Sequence, residues 1–170
     1  MHIRKATPGD LPLVLEIYAD ARRRMRESGN PTQWGDVWPP EEMIREDCSA
    51  DGHGYVITEG ERVCGAFAFF LGEDETYRKI EDGAWLNDEP YGAIHRVASD
   101  GVTRGILRAA VEWCSQFTSN LRMDTHADNL PMRGALIAAG FRRCGIIHVF
   151  SDGVRDDISS ERVAFQKIVR

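Results

Sequence analysis

The sequence predicts an α/β (α+β) protein with a mixed, twisted central sheet of about six to seven strands flanked by helices. Short apolar-alternating segments recur along the chain, and longer stretches with helical spacing separate them. In residues 92–126 a strand, a helix and another strand follow one another, which predicts a parallel crossover unit. The sequence shows no repeat, linker or low-complexity tract, so one domain over residues 1–170 is expected.

The chain opens with a predicted strand and two predicted helices. Residues 2–7 alternate and are followed by the breaker Pro-Gly-Asp. From Leu11 onward apolar residues recur near helical spacing, which predicts a long helix ending at Gly29. After a loop over 30–40, the acidic first turn of residues 41–50 suits the positive end of a helix dipole.

The rest of the chain is richer in strands. Residues 54–72 predict a hairpin, and residues 73–91 form an irregular connection of the kind that often lines a site. Further strands are predicted over 92–99, 120–126, 141–151 and 162–169, and helices over 102–117 and 129–140.

Composition narrows the classes of partner and site. The formal charge of −6 and pI near 5.4 argue against nucleic acid as a partner. The absence of a signal-like apolar core or a membrane-length apolar run favours a cytoplasmic protein with no membrane partner. Four widely spaced cysteines without a metal-binding pattern predict buried free thiols and no metal site, at Cys48, Cys64, Cys114 and Cys144.

A glycine-bearing turn joins the predicted strand 92–99 to the helix that follows. Such a turn leaves the first N–H groups of a helix unpaired and aimed at one point, where a phosphate binds. Gly101 and Gly105 permit unusual backbone angles, and Arg104 and Arg108 add positive charge. The alternative is a turn glycine and a packing glycine with nothing bound. The loop is neither a Walker A motif nor a GxGxxG fingerprint.

Three segments resemble the GNAT (GCN5-related) N-acetyltransferases, and the resemblance covers nearly the whole chain. "HRVASDGVTRGIL" is similar to the family's strand, pyrophosphate loop (Arg/Gln-x-x-Gly-x-Gly/Ala) and helix. "DTHADNLPMRGALIAAGF" looks like the next strand, Asn and short helix, and "HIRKATPGDLPLVLEIY" like the family's N-terminus. The resemblance implies the GNAT fold, acetyl-CoA as co-substrate without a metal, and acetyl transfer to a primary amine of a small molecule or peptide.

The resemblance also implies where the cofactor binds. Gly105 matches the first glycine of the loop motif, but Val102 replaces its Arg or Gln and Leu107 replaces its second Gly or Ala. Val97 and Ser99 match positions whose backbone pairs with the pantetheine arm. The expected cofactor contacts are Val97, Ala98, Ser99, Thr103, Arg104, Gly105, Ile106, Leu107 and Asn129.

Attack of an amine on a thioester needs a base and stabilisation of the departing thiolate. Many family members use a Tyr for the second task, and the matching residue here is Leu136. His95 and His126 are candidates for proton transfer, since a His titrates near neutral pH. His95 should share a strand face with Val97. The alternatives are a hydrogen-bonded core His at His95 and a capping or loop His at His126.

The connection 73–91 carries acids and aromatics that suit a cationic substrate. Glu81, Asp82 and Glu89 can form a negative mouth for an amine, with Glu81 as a further candidate base. Tyr77 and Trp85 can pack on a substrate stem or cation. Solvated charges are the plain alternative, because charge clusters usually face water.

Two functions stay open at this point. The first is an acetyl-CoA-dependent N-acetyltransferase. The second is a GNAT-like binding or regulatory module that has lost catalysis, which the departures at Val102, Leu107 and Leu136 would explain. Apolar residues on the last two predicted strands also allow a homodimer through a sheet edge.

Overall fold

The computed structural model describes residues 1–149 and 158–169. Within them, seven strands form one sheet and four helices pack against it, in the predicted order. The strands are β1 (His2–Lys5), β2 (Gly54–Glu59), β3 (Arg62–Leu71), β4 (Gly92–Ser99), β5 (Asn120–Thr125), β6 (Arg142–His148) and β7 (Glu161–Ile168). The helices are α1 (Leu11–Glu27), α2 (Glu41–Asp47), α3 (Ile106–Cys114) and α4 (Leu130–Ala138).

Several elements are shorter than predicted. Helix α3 starts at Ile106 rather than at residue 102, because Gly105 adopts φ +81° and caps the helix. Strand β1 ends at Lys5, and α2 ends at Asp47. The predicted continuation of β6 through residues 150 and 151 lies outside the described residues.

The strand order across the sheet is β1-β2-β3-β4-β5-β7-β6. All neighbours are antiparallel except β4 and β5, which are parallel and connected through α3. The parallel unit predicted from the sequence is therefore confirmed, and it lies at the centre of the sheet.

Strands β4 and β5 separate soon after they meet. Their described pairs are Gly92 with Leu121 and Ala93 with Arg122, although both strands continue for several residues. A bulge in β4 accompanies the separation: Ala68 of β3 lies opposite His95, but Ala66 lies opposite Ala98. The extra residue bends β4, and a gap opens between the two strands.

Each face of the sheet carries its own apolar core. On one face α3 and α4 bury Val111 and Leu136 against Phe67 and Phe165. On the other face α1 and α2 bury Tyr18 and Ile44 among a second cluster that includes Trp34, Val56 and Ala66. Burial of both faces explains why β3 reads as a nearly continuous apolar run.

The four cysteines are buried and free, as predicted. Of the described apolar residues on the last two strands, Ile147, Val163 and Phe165 are buried, whereas Ile168 at the end of β7 is exposed. The outer edge of β6 is also partly covered, since Glu81 and Ile146 exchange backbone hydrogen bonds of 2.8 and 2.7 Å. None of the described helices is long and apolar enough to cross a membrane.

Candidate active site

A cavity of about 310 Å³ lies where β4 and β5 separate. Its volume falls at the lower end of the range for small-molecule sites. The loop after α1, the start of α2 and the end of β3 close one side of it. The strands and the start of α4 contribute His95, Arg96, Val97, Asp124, Thr125 and Asn129.

His95 lies between two carboxylates in this cavity. Its Nε2 atom is 2.6 Å from Asp74 Oδ2, and its Nδ1 atom is 3.7 Å from Asp124 Oδ1. The Tyr77 hydroxyl donates a 2.7 Å hydrogen bond to the same Asp124 oxygen. Thr76 fixes Asp74 through its amide and hydroxyl, at 2.9 and 2.6 Å. The imidazole is therefore held in an acidic, hydrogen-bonded setting.

Asp74 is ionised at neutral pH. Burial alone would raise the pKa of its carboxyl, but the hydrogen bond and charge of His95, together with the bonds from Thr76, lower the pKa to about 2. Sequence reasoning missed Asp74 because it lies in an irregular segment 21 residues before His95. The local signal was its position two residues before Thr76, where an Asp commonly starts a turn.

The bulge of β4 is fixed by contacts from both helices of one face. Arg96 has φ +55°, a strained angle for a residue with a side chain. The Tyr18 hydroxyl of α1 donates a 2.9 Å hydrogen bond to the Arg96 carbonyl. The Arg96 guanidinium binds both carboxylate oxygens of Asp47, each at 2.9 Å. Because of the bulge, His95, Arg96 and Val97 all border the cavity, which strict strand alternation would not allow.

The glycine loop at the far end of β4 has the predicted left-handed residues. Gly101 has φ +77° and Gly105 has φ +81°. The Ala109 amide donates the first helical bond to the Gly105 carbonyl, at 2.9 Å. The amides of residues 106–108 come before this first bond, so they have no acceptor within the helix. They point out of its N-terminal end. This arrangement suits an anion.

Asp100 occupies part of the same loop. Its Oδ1 accepts hydrogen bonds from the amides of Val102 and Thr103, at 3.0 and 2.7 Å. Burial would raise the pKa of Asp100, but the bonds from Thr103, Val102 and Arg62 lower it to about 2. The Thr103 amide, one of the expected pyrophosphate donors, is therefore bonded within the loop.

Positive charge reaches the loop from α1. Arg24 donates a hydrogen bond to the Ser99 carbonyl, and a Cβ atom at Gly101 would lie 2.7 Å from its Nη1 atom. Arg108 instead pairs with Glu112 on its own helix, at 2.7 Å. The sequence did not single out Arg24, which is one of four arginines in the second half of α1.

Comparison with known families identifies the fold. The family model described as an acetyltransferase (GNAT) domain matches residues 1–142. The chain belongs to the GNAT acetyltransferase family. It is therefore an acyltransferase, as the sequence predicted. No curated protein matches the sequence significantly.

Solved structures of GNAT proteins superpose on the whole chain. A GNAT-family acetyltransferase from Streptococcus agalactiae 2603 is 26% identical with a TM-score of 0.84, over 99% of this chain and 95% of that one. A putative acetyltransferase from Staphylococcus aureus Mu50 is 21% identical with a TM-score of 0.67, over 100% of both chains. A ribosomal-protein-alanine N-acetyltransferase from Brucella melitensis is 20% identical with a TM-score of 0.62, over 99% and 100%.

Two of the predicted catalytic residues of this GNAT protein lie away from His95. The Nδ1 atom of His126 accepts a hydrogen bond from the Asp128 amide, at 3.2 Å, so it caps its own loop. Burial lowers the pKa of His126, and the charge of Arg162 lowers it further. Glu81 is exposed at the edge of β6, and its carboxylate pairs with Lys79 at 2.5 Å. Neither residue is part of the cavity lining among the described residues.

One of the two predicted substrate aromatics, Trp85, packs against an arginine of the chain itself. The guanidinium of Arg122 lies 4.1 Å from the centre of the Trp85 ring and 3.9 Å from that of Tyr91. Trp85 also donates a 2.9 Å hydrogen bond to the Tyr77 carbonyl. Together with Glu89 they line a separate surface depression. The cation that the structure places on Trp85 is therefore an internal arginine.

The position of the usual GNAT tyrosine is closed to the cavity. Leu136 is 0% exposed and packs in the core under α4. The described residues include no group of three or more His, Cys, Asp or Glu side chains that could hold a metal ion.

Proposed function

We propose that this GNAT protein is an acetyl-CoA-dependent N-acetyltransferase that acts on a primary amine of a small molecule or a peptide. One observation carries the proposal: His95, paired with Asp74, lies in the gap between β4 and β5, and the anion-binding turn at Gly105 lies beyond the far end of β4. A base and a site for the cofactor diphosphate are thus joined by one strand.

The free edge of β4 suits the pantetheine arm. The Asp100 amide donates to the Cys64 carbonyl at 2.9 Å, so the Ser99 amide and carbonyl point away from β3. The carbonyl already accepts from Arg24, and the amide is the group proposed to bind the arm. An extended arm adds to such an edge like another strand. Ala98 pairs with Ala66, and its backbone is committed to β3.

The amides of Arg104 to Leu107 and the Arg24 guanidinium are the proposed partners of the pyrophosphate. Asn129 borders the same gap. Its Oδ1 accepts from the Met132 amide at 3.2 Å and its Nδ2 donates to Gln33 at 2.9 Å, which fixes the amide beside the proposed arm.

His95 is the proposed base. In the neutral ring, Nε2 carries the proton because it is within hydrogen-bond length of Asp74, and Nδ1 keeps its lone pair because 3.7 Å to Asp124 is too long for a hydrogen bond. An ammonium group bound between Nδ1 and Asp124 gives one proton to Nδ1. The amine nitrogen then bonds to the thioester carbonyl carbon, the C–S bond breaks, and the thiolate takes the proton of the imidazolium. The nitrogen gives its second proton to the freed Nδ1 or to water, which leaves a neutral amide.

Both kinds of acceptor have support. The relative from Brucella melitensis is named for acetylating a ribosomal-protein alanine, which is a peptide amine. The cavity volume of about 310 Å³ supports a small molecule.

Calorimetric titration with acetyl-CoA, followed by a CoA-release assay over a broad amine panel, tests the proposal. We expect saturable heat and turnover with at least one amine. The absence of both binding heat and a thermal shift at millimolar acetyl-CoA would refute the proposal. Binding without turnover on any amine would instead favour the non-catalytic module, to which the buried Leu136 and the loop carboxylate of Asp100 lend support.

A further inference from the structure

The cavity beside His95 has a continuous apolar wall. Trp34 and Trp38 come from one turn after α1, where the Trp38 amide donates a 3.0 Å hydrogen bond to the Trp34 carbonyl. Met25 of α1, Met43 of α2 and Phe70 of β3 complete the wall. Apart from Trp34, these side chains are only half-buried, so they keep surface that a ligand can cover.

The charged groups of the lining leave one carboxylate without a guanidinium partner. The charge of Arg96 is balanced by Asp47 at 2.9 Å, and Arg162 lies 3.9 Å from Asp124. Asp74 has His95 as its partner. A substrate carboxylate or phosphate would therefore meet acidic groups with no uncommitted guanidinium among the described lining residues, whereas an ammonium group is favoured.

The distances limit the size of the acceptor. The ring centres of Phe70 and His95 are 5.8 Å apart, so the apolar wall begins one or two carbon atoms beyond an amine held at the imidazole. A dry cavity of about 150 Å³ holds one benzene ring. The cavity of about 310 Å³ thus fits one ring-sized group beside the thioester end of the acetyl donor.

From this arrangement, and resting on the proposed function, we infer that the acceptor is a small primary monoamine whose amino group is joined by a short spacer to an apolar, ring-sized body. The ammonium lies between Nδ1 of His95 and Asp124, and the body lies against Phe70, Trp38 and Met43. A polyamine would bring a second ammonium against this apolar wall. A peptide would bring its amide groups there without hydrogen-bond partners.

Matched acceptors test the inference in the CoA-release assay. We expect kcat/KM for 2-phenylethylamine to exceed the values for L-phenylalanine, spermidine and an alanyl peptide by roughly tenfold or more, because each of these adds a charged or amide group. Equal or better turnover of spermidine or the peptide would overturn the inference and leave the proposed function intact. No turnover with any amine and no acetyl-CoA binding would overturn both.

Variants of the wall give an independent readout. Trp38→Ala and Met43→Gln should each raise KM for 2-phenylethylamine by roughly tenfold with little change in kcat, because they remove apolar contact and not the base. KM for methylamine, which cannot reach the wall, should stay the same. Phe117→Ala removes an exposed aromatic outside the cavity and is the control. Unchanged KM for 2-phenylethylamine in either folded variant would contradict the assignment of the wall.

Discussion

The Nε2 atom of His95 lies 2.6 Å from Oδ2 of Asp74, and this contact ties the bulged strand β4 to the turn that follows β3. The carboxylate fixes the orientation of the ring and selects the protonated nitrogen. The other ring nitrogen is left to face Asp124 within the cavity.

Replacement of the base should lower turnover and not cofactor binding. We expect His95→Gln to reduce kcat by about 10²–10⁴-fold, with KM for acetyl-CoA nearly unchanged, since general base catalysis contributes this much. Steady-state CoA release measures both constants. His148→Gln, at a 43% exposed histidine outside the cavity, should behave as the wild type. A kcat within threefold of wild type for His95→Gln would exclude His95 as the base.

The turn at Gly105 should be needed for cofactor affinity. Gly105→Glu places a carboxylate where the pyrophosphate is proposed to bind, and we expect acetyl-CoA affinity to fall by more than about tenfold. Gly29→Glu is a matched control, because Gly29 also has a positive φ, of +85°, and an added Cβ there meets no atom within 4 Å. Calorimetry on both variants separates backbone strain from loss of the anion site. Equal affinities would contradict the loop assignment.

Arg24 should act as a cofactor cation. Arg24→Gln is expected to weaken acetyl-CoA binding by roughly tenfold, the loss typical of one charge-assisted hydrogen bond, and to reduce its dependence on salt. The neighbouring Arg23→Gln removes an exposed charge that pairs with Asp20 and should have little effect. Titrations at low and high salt, with melting temperatures for both variants, provide the check. An unchanged salt dependence would show that Arg24 serves only the Ser99 carbonyl.

Restoring the family's tyrosine should not restore a general acid. Leu136 is 0% exposed, so Leu136→Tyr overpacks the core and should cost about 1–3 kcal/mol of unfolding free energy without raising kcat. The adjacent Ile137→Tyr, at a 63% exposed position, should leave stability unchanged. Urea unfolding and CoA release are the measurements. An increased kcat in Leu136→Tyr would show that the side chain reaches the thioester.

Asp10 should contribute stability that depends on pH. Its carboxylate accepts bonds from Arg4 and Thr7, at 2.7 to 2.8 Å, and the Arg4 bond above all lowers its pKa in the folded state. Asp10→Asn should therefore cost about 1–2 kcal/mol at pH 7, a value limited by solvent screening of Arg4. A carboxyl whose pKa is lowered in the folded state stabilises the protein at pH values above its unfolded pKa of about 3.9. The difference in unfolding free energy between wild type and Asp10→Asn should therefore shrink as the pH falls below 4. Urea unfolding at pH 7 and pH 3, with Asp20→Asn as control, tests this.

The order of strands and helices followed from periodicity, because each element is long enough to show its own repeat. The bulge at Arg96 could not be predicted, since it depends on the register between β4 and β3, which lie about 30 residues apart in sequence. Contacts between segments far apart in sequence also explain why the candidate site was only partly predicted. His95 was predicted from its strand. Its partner Asp74 and the loop cation Arg24 come from distant segments, and only tertiary packing brings them to His95 and to Ser99, respectively.

The aromatic connection shows where composition misleads. Trp85 and Tyr77 predicted a substrate stem or cation, but no local pattern reveals that Arg122 of β5 packs on Trp85. Glu81 was likewise chosen for its charge, whereas its backbone pairing with Ile146 places it at the edge of the sheet.

The early parting of β4 and β5 also has a mechanical meaning. Few backbone bonds tie the half of the sheet that holds β1–β4 to the half that holds β5–β7, so the sheet is most compliant along this line. A small change in the angle between the halves would widen or narrow the gap, and it would be felt in the core under α3 and α4, which contains residues of both halves. The line with the fewest paired residues in the described sheet thus coincides with the place where the donor and acceptor are proposed to meet.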